Sequence, residues 1–191
     1  MKKGLLIILS GPSGVGKNCV RQEIMKDNKL NLVYSISMTT REKRDREVDG
    51  KDYYFVSDEE FEKNIKAGNF LEWANFVGHK YGTPKDRVEE LRNQGKNVFL
   101  EIEINGARQV MESVKDDRVI SIFLMPPSFK ALENRIRKRQ TESEEVIQER
   151  LQKGLKEMTM TDNYDHIVIN DKITNAAQEI VDLIKAKLKK R

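Results

Sequence analysis

Apolar positions fall into short continuous runs separated by stretches with helical spacing. Leu5–Leu9 is unbroken, and a glycine-rich turn and a helical stretch over Lys17–Lys26 follow it. Leu32–Ile36, Val98–Ile104, Ile120–Leu124 and His166–Ile169 read as four more strands, with Pro126 and Pro127 closing the run before the last. Near the end, Ile180, Leu183, Ile184 and Leu188 lie at i, i+3, i+4 and i+8, which predicts a helix over Thr174–Leu188. Short buried strands alternating with helices imply an α/β fold, a parallel sheet covered by helices on both faces.

Two segments interrupt the alternation. Residues 37–83 are polar, with a strand-like pattern around Tyr53-Tyr54-Phe55 and one short helix. Ser57 and Glu60 fit a capping box there, Val56 and Phe61 a hydrophobic staple, and Gly68 a stop. Thr83-Pro84 opens another helix, with Pro84 expected at its first position and Gly95 at its end. Residues 128–160 predict two charged helices joined near Gln140, the second opened by a capping box of Thr141 and Glu144. The expected organisation is one domain over 1–191. Its core is 1–36, 84–127 and 161–191, with lobes 37–83 and 128–160 inserted into it.

Composition narrows the partners. Hydrophobic residues make up 38% of the 191, enough for a core, and charged residues 35%. The net charge of +4, from 35 basic and 31 acidic residues, is small and interspersed, which suits small anionic ligands and argues against nucleic acid. The basic tail Lys185–Arg191 suits the negative end of a helix dipole. No apolar run approaches the roughly 18–20 residues of a membrane span, so no membrane partner is expected. Met1-Lys2-Lys3 before Leu5–Leu9 mimics the start of a secretory signal, but no small-residue cleavage site follows. With Cys19 the single cysteine, an intramolecular disulfide is excluded and a cytoplasmic setting expected.

The chemistry begins directly after the first strand. Gly11, Pro12, Ser13, Gly14, Val15, Gly16 and Lys17 form GxxxxGK between a strand and a helix. Such a loop turns backbone N–H groups around phosphate oxygens, the helix N-terminus adds a positive dipole end, and the lysine reaches the outer phosphates. The next position usually supplies a Mg²⁺-binding hydroxyl. Here it is Asn18, followed by Cys19, and an amide oxygen is a poorer steric match. Glu101 and Glu103 end an apolar run, and Glu101 is placed to hold Mg²⁺ through water.

Ser35-Ile-Ser37-Met-Thr-Thr40-Arg41-Glu-Lys-Arg44, Val48-Asp49-Gly50-Lys51-Asp52-Tyr53, Phe70-Leu-Glu72-Trp73-Ala74 and Gly78-His-Lys-Tyr81-Gly82-Thr83 follow in order. Together with the loop they resemble the guanylate kinases, over nearly the whole chain. The resemblance implies a P-loop NTPase-type fold with an inserted GMP-binding lobe and a helical lid, and transfer of the γ-phosphoryl group of ATP to GMP. It implies that Arg41, Arg44, Tyr53 and Tyr81 hold the GMP phosphate, while Ser37, Glu72, Thr83 and Glu103 read guanine. Guanine's N1–H and N2–H₂ donors suit acceptor-only carboxylates, whereas adenine would leave one unsatisfied. The lid resemblance lies in Asn134-Arg135-Ile-Arg-Lys-Arg139-Gln140-Thr141-Glu142 and in Arg150. It implies that Arg139 and Arg150 stabilise the transferring phosphoryl and that Arg135 and Asn170 lie beside adenine. Two rivals stay open from sequence: a non-catalytic module of the same fold, and a kinase for another small phosphate ester.

Overall fold

The computed structural model describes residues 2–76, 78–138 and 143–189. All five expected strands form one parallel sheet. They are β1 (Leu6–Ser10), β2 (Leu32–Tyr34), β7 (Asn97–Glu101), β8 (Val119–Met125) and β9 (His166–Ile169), in the order β2-β7-β1-β8-β9. The run at β1 is continuous because both faces of that central strand are covered. Leu5, Ile7 and Leu9 face a cluster with Val20 and Ile24 of α1 (Lys17–Ile24) and Ile180 and Ile184 of α7 (Ile173–Lys189). Leu6 and Ile8 face a second cluster with Val88 of α3 (Lys85–Asn93) and Ala107 and Val110 of α4 (Ile104–Ser113).

The segment 37–83 folds mostly as a second sheet. Strands β3 (Met38–Thr39), β4 (Tyr54–Phe55), β5 (Phe70–Phe76) and β6 (His79–Pro84) lie in the order β4-β3-β6-β5. Here β3 runs parallel to β4, whereas the other pairs are antiparallel. The short helix is α2 (Asp58–Lys66), capped by Ser57 Oγ accepting from the Glu60 N–H at 3.2 Å. The lid segment contains α5 (Phe129–Arg137) and α6 (Glu144–Glu157), which pack through Leu132, Ile136, Ile147 and Leu151.

Several boundaries differ from expectation. The strand expected to reach Ile104 stops at Glu101, because Glu103 is already the N-cap of α4. Likewise β2 ends at Tyr34 rather than Ile36. Pro84 is the last residue of β6 and the N-cap of α3, not its first helical residue; its ψ of 121° keeps it extended. Helix α6 is capped by Ser143, whose hydroxyl accepts from the Val146 N–H, and Thr141, expected in that role, lies outside the described residues, as does Gln140.

The amino ends of the strands are closed by a buried ion network. Arg92 is fully buried and donates to Gly4 O at 3.1 Å, Glu89 at 2.9 Å and Asp116 at 2.9 Å. A buried guanidinium is tolerated when its donors find such partners. The carboxyl ends of β1 and β7 carry the glycine-rich loop and Glu101.

Candidate active site

The phosphate loop joins the carboxyl end of β1 to α1. Gly11 has a φ of +145°, and a Cβ there would meet Leu124 O at 2.3 Å, so glycine is required both for the turn and for the approach to β8. Lys17 folds back over the loop and donates from Nζ to Gly11 O at 2.6 Å and Pro12 O at 3.1 Å. Burial lowers its pKa, while the carboxylates of Glu101, Glu157 and Glu103 act in the opposite sense and favour the ammonium.

The lid helices grip this loop from above. Arg135 donates to Val15 O at 3.1 Å and to Asn170 O at 2.6 Å, and Asn170 Nδ2 donates to Val15 O at 2.8 Å. Arg150 donates to Ser13 Oγ at 3.0 Å, and Glu157 accepts from the Ser13 N–H at 3.1 Å. Arg150, Lys153 and Glu157 are spaced i, i+3, i+7 on α6, one helix face. Lys153 also reaches Glu157 at 3.6 Å and Glu103 at 3.9 Å, linking the lid to the start of α4. Arg139, expected beside Arg135, lies outside the described residues.

Asn18 and Glu101, the expected metal contacts, converge on a single cation. Arg21, one turn into α1, donates from Nη2 to Asn18 Oδ1 at 2.5 Å and from Nε to Glu101 Oε2 at 2.7 Å. Its guanidinium carbon lies 4.1 Å from the centre of the Tyr34 ring. Burial and the nearby Glu101 push the Tyr34 phenol up to about 12, so the ring is a neutral platform. Cys19 is a free, exposed thiol beside this cluster in sequence.

The second sheet supplies the other wall. A bulge between Phe70 and Glu72 brings two successive side chains inward: Leu71 joins the cluster under α3 and α4, and Glu72 is buried against Thr83. Thr83 Oγ1 donates to Glu72 Oε1 at 2.5 Å. Burial raises the Glu72 pKa to about 7, with the Thr83 hydrogen bond opposing and the Glu103 charge adding to the shift. Its Oε2 rests on α4 where a Cβ at Gly106 would stand only 2.6 Å away. Arg41 is half-buried, donates to Glu47 Oε1 at 2.7 Å, and lies 5.5 Å from the Tyr53 ring centre. Tyr53 and Tyr81 meet edge to face at 5.9 Å. Arg44 is exposed, its backbone N–H bonded to Glu47 Oε2 at 2.9 Å, and Ser37 is half-buried beside β3.

The structure brings Lys17, Arg135, Arg150 and Asn170 together at the loop, and on the second sheet it joins Glu72 to Thr83 and Arg41 to Tyr53 and Tyr81; no described contact joins Ser37 or Arg44 to either group. Arg21, Glu47, Gly106 and Glu157 were not anticipated. Glu157 carried a faint signal, its helical spacing from Arg150; Arg21 and Gly106 carried none without the fold.

Comparisons with known proteins place this arrangement. The family model described as "Guanylate kinase" matches residues 3–187. A guanylate kinase from Mesoplasma florum is 51% identical over 182 residues, covering 95% of this chain and 61% of that protein. One from Onion yellows phytoplasma is 50% identical over 185 residues, covering 97% of this chain and 87% of the relative. The crystal structure of guanylate kinase from Anaplasma phagocytophilum superposes with a TM-score of 0.77 at 33% identity, covering 99% of this chain and 88% of that one. The chain spans about three fifths of the length of the first curated relatives it matches, 61% in each case.

Proposed function

Because the chain belongs to the guanylate kinase family, we propose that it transfers the γ-phosphoryl group of ATP to GMP, giving ADP and GDP in purine nucleotide metabolism. The observation that carries this reading is Glu72, a buried carboxylate set by a bulge against Thr83 and close enough to feel the charge of Glu103, which also acts on Lys17 of the phosphate loop. A carboxylate buried there is a costly feature unless a ligand's donors use it. Guanine offers such donors; adenine in the same pose does not.

In the proposed reaction the core of 1–36, 84–127 and 161–191 holds ATP on Gly11–Lys17, with Arg135 and Asn170 beside its base. The lobe 37–83 holds GMP: Arg41, Arg44, Tyr53 and Tyr81 on its phosphate, and Ser37, Glu72, Thr83 and Glu103 on guanine. The lid 128–160 closes over both. A GMP phosphate oxygen attacks the γ-phosphorus in line as the bond to the ADP oxygen breaks, and no base is needed because the acceptor is already ionised. Lys17, Arg150 and Arg139 spread the charge of the passing phosphoryl group. Lys17 leaves its own loop's carbonyls for the nucleotide's phosphates.

Asn18 and Glu101 fit a divalent ion that arrives with the nucleotide, since their oxygens already converge on one cation. Mg²⁺ bound there would neutralise charge between the outer phosphates. Asn18 and Glu101 offer two oxygens, so phosphate oxygens and water would have to supply the remaining ligands of such an ion. The reading carries with it a cytoplasmic location, with which a single cysteine, Cys19, is compatible. No described helix is long and apolar enough to cross a membrane.

The test is ADP release in a coupled assay with ATP and Mg²⁺, comparing GMP with AMP, CMP, UMP and no acceptor. Turnover confined to GMP is expected. Folded protein that binds GMP without turnover would overturn the assignment.

A further inference from the structure

We propose that Arg21 is the resident cation of the divalent-ion position, a positioning residue that must withdraw before a metal can reach Asn18 and Glu101. The proposal rests on the assignment of those two residues to the metal. Three observations lead to it. The guanidinium bonds both oxygens at once, at 2.5 and 2.7 Å, so it fills the space between them. The Arg21–Glu101 pair is shielded, with side chains 19% and 16% exposed, whereas Asn18 is exposed, so the carboxylate arm carries the stronger hold. The guanidinium also lies 4.1 Å from the Tyr34 ring centre, which gives the cation a second foothold when it releases the oxygens.

The consequence is a site that disfavours a bare metal ion. A free divalent cation would have to approach a fixed positive charge and displace it. An ion carried on a triphosphate brings compensating negative charge, and Arg21 can then turn toward the ring or the phosphates. The fork geometry matters, because a lysine ammonium is a point charge that cannot span both oxygens in the same way. The amide at position 18 is therefore the acceptor for one arm of the clamp.

The test is Mn²⁺ binding to the nucleotide-free protein, followed by electron paramagnetic resonance at fixed ionic strength. Arg21→Ala should tighten Mn²⁺ binding by about tenfold or more over wild type. Arg21→Lys should give a smaller gain, and it stands in if the alanine variant does not fold. Adding Glu101→Gln to Arg21→Ala should abolish the gain. Unchanged Mn²⁺ affinity in both single variants, or a gain that survives Glu101→Gln, overturns the proposal. Turnover of ATP with GMP by the same wild-type preparation is read in parallel. If it is present while Mn²⁺ affinity does not respond, this inference alone fails; if it is absent, the proposed function fails.

Discussion

The phosphate loop and the wall on the second sheet are built by opposite means. The phosphate loop is made of backbone: its positions are set by Gly11 turning at a φ of +145° under β8, and the helix that follows supplies N–H groups whatever its side chains are. The wall on the second sheet is made of side chains, in which Glu72, Thr83, Arg41, Tyr53 and Tyr81 are aimed by a bulge, a hydrogen bond and ring packing. A backbone site tolerates substitution except at its glycines and its lysine, whereas a side-chain site depends on every member. In the proposed reaction the first binds what all nucleoside triphosphates share, and the second tells one base from another.

The largest effect should come from the one side chain on which the backbone site depends. Lys17→Ala is expected to lower kcat by about 10²–10³, the usual cost of losing one charge-stabilising donor, with the thermal midpoint little changed. A loss confined to the KM for ATP would mean that Lys17 only binds. Glu72→Gln should come next, lowering kcat/KM for GMP by about 10–100-fold while leaving the KM for ATP unchanged, so that GMP and AMP are told apart less well.

The same residue gives a pH test in which two signs oppose. The folded pKa of Glu72, about 7, lies above its ordinary value of 4.5, so its contribution to stability is fully present below about 4.5 and is lost as pH rises through about 7. In the proposed reading, guanine recognition uses the ionised form and should strengthen over that upper range. GMP affinity is therefore expected to rise from pH 6 to 8 as the ligand-free protein loses stability. Because phosphate esters themselves ionise near pH ~6, the comparison is with Glu72→Gln, which should flatten the part of both profiles centred near 7. Parallel profiles for the two proteins would remove Glu72 from base reading.

The contrast also explains what could be read in advance. GxxxxGK is legible because a backbone site leaves its requirements at fixed sequence spacing, and the inner strands β7, β1 and β8 were legible because burial on both faces makes them largely apolar runs, whereas the edge strands β2 and β9 are only partly covered. The second wall was legible only through the family resemblance: Glu72 and Thr83 are neighbours because β5 pairs with β6, and nothing in composition or periodicity says so. Helix α4 was missed because the apolar run of β7 continues through Ile102 and Ile104, which hides the turn at Glu103. Pro84 was displaced by one position because the strand hydrogen-bonded to β5 extends into it. Arg21 looked like any polar residue of an exposed helix face, and only the arrival of Glu101 from β7 gives it a role.

Gly106 tests how tightly the side-chain wall is fitted. A methyl group there would stand 2.6 Å from Glu72 Oε2 and 3.1 Å from its carboxyl carbon, so the carboxylate must move. Gly106→Ala should raise the KM for GMP several-fold and leave the KM for ATP unchanged, even though alanine favours the helix by up to about 1 kcal/mol. An unchanged KM for GMP would show that Glu72 adjusts freely. An equal change in both would point to a general disturbance of α4.

The smallest effect concerns whether the two walls fold as one. Ser57→Ala removes the cap of α2 in the second sheet's segment, and Ser128→Ala removes that of α5, whose Oγ accepts from the Ala131 N–H at 3.1 Å. Each should cost about 1 kcal/mol. The bulge sends Leu71 into the core cluster, and Gln109 of α4 bonds both the N–H and the C=O of Trp73, at 3.2 and 3.0 Å, so the second sheet is tied to the core at its base. On that ground both variants should lower the urea midpoint of the whole protein by similar amounts with no change in m. If Ser57→Ala left that midpoint in place and only accelerated amide exchange across residues 58–66, the side-chain wall would be opening on its own. It could then adjust to the acceptor while the backbone wall stayed rigid.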